Sequence, residues 1–229
     1  MRKYYTRPCN FYYGNYAKKL IDKKKALSLA GCSNIAFDQI EIFYREKKGV
    51  TDSKFHSIKK ISEIDKKILT TIEKDLKNIT SKRENISGLR FDIPLLMGAL
   101  NITPDSFSDG GLFFEEMKAY DQARLMVNSG ATIIDIGGES TRPGSKAIAA
   151  KEEWERIKNT IVKFKKEFPK GILSLDTRKS YVMTKGIENG VDIINDVSGL
   201  NFDKKSFDVI NSNKKPFILH HMRGTPSTM

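Results

Sequence analysis

From residue 92 onward the chain alternates short apolar runs with longer amphipathic segments, and this limits the available folds more than any other feature. The runs lie at 94–100 (PLLMGAL), 132–136 (TIIDI), 172–175 (ILSL), 191–194 (VDII) and 216–219 (PFIL), with helical patterns at about 115–129, 151–167, 179–189 and 203–212. Apolar runs this short, separated by helices, predict parallel strands joined by crossover helices. Each run ends in polar side chains: Asn101; Gly137-Gly-Glu-Ser-Thr-Arg-Pro-Gly144; Asp176-Thr-Arg178; Asn195-Asp196; His220-His221. In a (β/α)₈ barrel such ends converge on one functional mouth. A doubly wound sheet gathers ligands mainly at a single switch point. Five polar-tipped strands in succession favour the barrel. The fold class read here is α/β, of the (β/α)₈ TIM-barrel type, with about five of eight strands present.

The first 90 residues differ in texture. They hold 21 basic and 10 acidic side chains, against 19 and 18 in the remainder, so nearly all of the net charge of +12 belongs to them. A basic chain raises the question of nucleic acid. These charges are mostly lysines interspersed with Ile and acidic residues, the pattern of a solvated surface, and the interleaving of arginine with aromatics that grips single strands is sparse. Residues 1–13 read as extended, 14–25 as a short helix, 37–45 as a strand and 46–54 as a loop. The stripe Ile58, Ile61, Ile64, Ile68, Ile72, Leu76, Ile79 marks one face of a long helix. Residues 80–90 read as a linker. The expected division is therefore a small α+β extension over 1–90 and a barrel portion over 91–229. No apolar run is long enough to cross a membrane as a helix, and the N-terminus lacks a signal-peptide core. Two cysteines, Cys9 and Cys32, form neither a disulfide scaffold nor a four-cysteine zinc site. A cytoplasmic location is expected.

Residue types at the strand ends narrow the chemistry. The loop 137–144 offers open backbone, two hydroxyls and the Arg142 guanidinium, a set that can hold phosphate oxygens; an ordinary turn with a surface arginine would look the same. Asp176 and Asn195 can match the donor–acceptor edge of a heterocycle, or simply cap the helices that follow. Asn101 is either a turn former before Pro104 or a ligand to a diphosphate or its metal. His220 and His221 are adjacent and so face opposite ways on a strand, which excludes a paired metal site.

The segments MGALNITPDSFSDGG, GATIIDIGGESTRPGS, LSLDTRKS, DIINDVSG and HHMRGTPSTM, in this order, resemble dihydropteroate synthase. The resemblance spans about 93–229. It implies a TIM barrel, usually homodimeric, that condenses a dihydropterin-methyl diphosphate with p-aminobenzoate, with Mg²⁺ assisting the diphosphate. By motif position it assigns Asn101 to the diphosphate or its Mg²⁺, Thr141 and Arg142 to the diphosphate, Asp176 and Asn195 to the pterin, and Met222 to the pterin pocket. The loops 103–111 and 140–145 would close over the site. No protein nucleophile is implied, and no membrane or nucleic-acid partner.

The family's later segments, from the strands six to eight of a full barrel, are not among these residues. The expectation is that this chain alone has little synthase activity, and that a separate C-terminal barrel fragment is a candidate partner. Two other readings stand beside it. Another pterin-binding barrel, of the methyltetrahydrofolate methyltransferase type, would share the strand-end Asp and Asn but has no need of the Ser-Thr-Arg-Pro-Gly loop. A non-catalytic remnant would act as an interaction module through the lysine-rich extension.

Overall fold

The computed structural model describes residues 4–45, 51–91, 93–103, 111–140, 145 and 147–221. The chain divides into two compact units, Met1–Asn85 and Ile86–Met229. The second begins a few residues ahead of the expected boundary because Leu89, read as linker, is buried among the strands of the barrel portion.

The first unit is built on one long strand. β3 (Cys32–Arg45) pairs antiparallel with β1 (Tyr4–Tyr13) along one side; β2 (Leu27–Leu29) and β4 (Thr51–Ser57) share the other. The helix α1 (Gly14–Asp22) places Ala17 against Ala26 and Ala36. The helix α2 (Lys66–Thr80) lays Ile68, Ile72 and Leu76 on Phe37, Ile40 and Ile42. Two expectations are corrected here. The polar stretch 46–54, read as a loop, runs into β4 from Thr51 onward, because TDSKFHS pairs residue by residue with the free side of β3; residues 46–50 lie outside the described residues. The apolar stripe 58–79 is not one helix. A 3₁₀ segment covers Ile58–Glu63, and α2 starts afresh after Asp65, whose side chain accepts a hydrogen bond from the Lys67 N–H. Ile58, Ile61 and Ile64 still reach the same core, so the period survives although the helix is broken.

The second unit is an arc of five parallel strands in chain order: β5 (Met97–Asn101), β6 (Ile133–Gly137), β7 (Ile172–Asp176), β8 (Ile193–Asp196) and β9 (Phe217–Leu219). Between them run α3 (Gly111–Asn128), α4 (Ala150–Glu167), α5 (Ser180–Glu188) and α6 (Ser206–Asn213). The strands are an open sheet with β5 and β9 at its edges among the described residues. Side chains alternate across a strand. One parity, Leu100, Ile134, Ile136, Leu173, Leu175 and Ile194, packs under Trp154, Ile157, Ile161 and Phe164 of α4 and Val182 and Met183 of α5. Each such side chain contributes about 1.5–3 kcal/mol on burial. The other parity lines the concave face. At its base Ile133, Ile193 and Leu89 are buried with Leu95 and Ile172 against them, and at its top it carries the polar tips. No described helix is long and apolar enough to cross a membrane.

Candidate functional site

Strand register brings the polar tips together. Asn101 pairs with Gly137, Gly137 with Asp176, Asp176 with Asn195, and Asn195 with Ile218, so one row crosses all five strands on the concave face. Hydrogen bonds from Ile102 N to Gly137 O and from Thr177 N to Asn195 O extend the ladder just past the row. Gly137 brings no side chain into the row; a Cβ there would stand in ordinary contact, 3.4 Å, with Asp176 Oδ2. Three sequence candidates, Asn101, Asp176 and Asn195, therefore share one mouth. Thr141, Arg142 and Met222 lie outside the described residues, as does most of the two loops expected to close.

Neither Asp176 nor Asn195 serves as a helix cap. The first turn of α5 is held by Asp203, whose Oδ2 accepts from Ser180 N. The turn after β8 is held by Asp196, which accepts from Ser198 N and Leu200 N. The two strand-end side chains are thus left for the mouth. Burial, first of all, pushes the Asp176 carboxyl up to about 7, and the charges of Asp135, Glu153, Asp196 and Glu139 add to the effect.

Asn195 is held at both ends. Its Nδ2 donates to Asp135 Oδ2 at 2.9 Å, and its Oδ1 lies 2.7 Å from His220 Nε2. Sequence reading gave no role to Asp135 or His220. A carboxylate inside the apolar run TIIDI was the available signal, because it has to face something polar.

Where the loops after β6 and β7 meet the first turn of α4 lies a buried ionic network that sequence reading also missed. Lys179 Nζ donates to Glu139 Oε1 at 2.9 Å and to Glu153 Oε2 at 2.6 Å; Arg178 Nε donates to Glu139 Oε2 at 2.9 Å, and Thr177 Oγ1 to Glu153 Oε1 at 2.5 Å. Burial alone would raise Glu139, but two cations and the Ile148 N–H outweigh it and hold the carboxyl below its usual range. Glu153 has one cation and no exposed side-chain surface, so burial dominates and its pKa is raised. The signal for Glu153 was its place on the core stripe of α4, four residues before Ile157 and eight before Ile161. The network fastens the start of the loop after β6. Arg156 Nη1 donates to Gly138 O at 3.1 Å, and Ser145 Oγ donates to Ser140 O at 2.6 Å, tying the loop across its own ends.

Among the described residues no group of three or more His, Cys, Asp or Glu is arranged to hold a metal ion. Asn101 ends β5 with an exposed side chain. One carboxamide oxygen suits an Mg²⁺ that is carried mainly by phosphate oxygens and water, the usual manner for this ion. Among the described residues the donor set suits such an ion and not one held by protein alone.

The barrel portion is similar to known proteins. The profile of a family described as pterin binding enzyme matches residues 97–229. The dihydropteroate synthase of Synechocystis sp. is 46% identical over 134 residues, covering 58% of this chain and 46% of that protein. The Escherichia coli K12 dihydropteroate synthase is 42% identical over 136 residues, covering 59% and 48%. The chain thus spans about half the length of these relatives. Among solved structures, a Xanthomonas albilineans dihydropteroate synthase with 4-aminobenzoic acid is 38% identical, with a TM-score of 0.56 over 59% of this chain and 49% of that one. A second structure from that organism, in complex with 7,8-dihydropteroate, is 33% identical with a TM-score of 0.53, over 59% and 48%. With a family profile over more than half of its residues and a five-strand arc that matches these barrels, the chain belongs to the pterin-binding enzymes.

Proposed function

We propose that this chain carries the substrate-binding mouth of a dihydropteroate synthase, which joins 6-hydroxymethyl-7,8-dihydropterin diphosphate to p-aminobenzoate in folate biosynthesis. The observation that carries the reading is the registered row Asn101, Gly137, Asp176, Asn195 above an apolar floor. Asp176 accepts from the N–H groups of the pterin edge, and Asn195 supplies one donor and one acceptor. Asn101 faces the diphosphate and, where Mg²⁺ accompanies it, one side of that ion; bound Mg²⁺ neutralises charge on the departing diphosphate. Thr141 and Arg142 hold the same phosphates in this reading, and Met222 lines the pterin pocket. The pterin methylene C–O bond breaks and its electron pair leaves with the diphosphate. The lone pair of the aryl amine forms the new C–N bond, and the amine then loses a proton to water. The protein contributes binding, orientation and charge stabilisation, and no side chain of the row has to act as a nucleophile.

The partners proposed are the two small substrates, a second copy as in a homodimer, and a C-terminal barrel fragment. A reducing cytoplasm suits the two free cysteines. The test is a fluorescence titration of residues 1–229 with the pterin diphosphate and with 6-hydroxymethylpterin. Saturable binding that favours the diphosphate and is lost in Asn195→Ala supports the reading; absence of saturable binding overturns it.

A further inference from the structure

We propose that Asp135 is a positioning residue: it locks the Asn195 carboxamide in one of its two flip states, so that the mouth presents a fixed donor–acceptor pattern. The ligand side of this inference rests on the pterin reading above; the lock itself does not.

The two ends of a carboxamide are nearly equal in size and opposite in hydrogen-bonding sense. A free Asn195 would show a heterocycle either pattern. Asp135 removes the choice. Its Oδ2 can only accept, and it lies 2.9 Å from the amide, so the NH₂ end must face it. The carbonyl end then points to His220 Nε2 at 2.7 Å, and that nitrogen must carry a hydrogen. Asp135 is held where it can do this. It is 9% exposed, stands mid-strand in β6, and pairs with Ser174 on β7 two positions below the row. His220 is exposed and lies beyond the end of β9. The buried partner therefore dictates the orientation and the exposed one follows. One amide hydrogen and one carbonyl lone pair of Asn195 remain for the ligand. Asp135 Oδ1, buried and without a partner among the described residues, is a further acceptor at the base of the same mouth.

The experiment uses ¹⁵N-labelled residues 1–229, with the Asn195 side-chain amide pair identified by its disappearance in Asn195→Ala. In the wild type one proton of the pair is shifted downfield and exchanges slowly. Asp135→Asn keeps the shape but can turn either end to Asn195, so both features are lost and 6-hydroxymethylpterin binds about 10- to 100-fold more weakly. His220→Leu, at an exposed site, removes the other partner of the amide and keeps the shifted proton. An unchanged amide pair in Asp135→Asn, or loss of the shifted proton in His220→Leu, overturns the lock. If the amide pair responds as expected while the wild type binds no pterin, the lock stands and the pterin reading falls.

Discussion

Lys179 Nζ lies 2.6 Å from Glu153 Oε2, joining the loop after β7 to the first turn of α4 through a carboxylate with no exposed surface. The same ammonium reaches Glu139, in the loop after β6. Breaking a buried pair by removing one partner leaves the other charge stranded. Lys179→Met is therefore expected to destabilise the barrel portion by about 3–5 kcal/mol, measured by urea unfolding. A Glu153→Leu, Lys179→Met double variant is expected to recover part of that loss, because it removes both charges together. A cost equal to the sum of the two single variants would show that the pair is not coupled.

Asp176 makes stability depend on pH in the direction opposite to most carboxylates. Its carboxyl sits at about 7 in the folded chain, against 3.8 for the free group. Between those values the native state holds a proton that the unfolded state has released, so stability falls as pH rises through the window and levels off above about 7. A tenfold change in proton affinity is worth about 1.4 kcal/mol, so the full effect is at most about 4 kcal/mol. Asp176→Asn is expected to remove this component, and the difference between the wild-type and variant unfolding curves at pH 5 and pH 8 isolates it. Glu139, held below its usual range, acts in the opposite sense: its contribution is lost as pH falls.

Ligand binding is expected to follow the ionised form of Asp176, because N–H donors on a ligand stabilise a carboxylate over a carboxylic acid. Pterin affinity should rise about tenfold between pH 6 and pH 8, with proton release detectable by calorimetry in two buffers of different ionisation enthalpy. Asp176→Asn should give weaker binding with a flat profile over that range.

Gly138 is a packing requirement of the mouth. A Cβ added there would stand 2.9 Å from the Glu153 carbonyl oxygen and 2.9 Å from Ile157 Cγ2. Gly138→Ala is expected to cost about 1–3 kcal/mol, as overpacking does, and to displace the Gly138 carbonyl that Arg156 holds. Pterin binding should weaken with it. A melting temperature equal to that of the wild type would show that α4 yields without cost.

In the first unit, Asp65 restarts a broken helix. Asp65→Ala removes the acceptor for Lys67 N, at a cost of about 1 kcal/mol. Amide exchange in the first turns of α2 is expected to speed up about fivefold, the equivalent of that energy.

Much of the barrel portion was legible in the residues. An apolar run of four to seven residues between amphipathic segments has few places to go, and all five runs became neighbouring parallel strands in chain order. The extension was less legible. TDSKFHS carries almost no apolar pattern and becomes a strand only because β3 offers it a free edge. Within the stripe of isoleucines, the break at Ile64 and Asp65 leaves the period intact, so periodicity alone does not reveal it.

The strand-end candidates Asn101, Asp176 and Asn195 were found because each is a polar residue ending an apolar run, a property local to its segment. The partners were not local: Asp135 and Asn195 are 60 positions apart, Glu139 and Lys179 40, Glu153 and Lys179 26. In the barrel portion, sequence alone determined which residues would be strands, which ends would be polar, and which family those ends resemble, since these follow from short-range pattern. Only the tertiary structure decided which charges meet, which carboxyl is lifted toward neutrality, and which amide is held in one orientation. Those outcomes depend on strand register and on exclusion of water, and both arise only when distant segments pack.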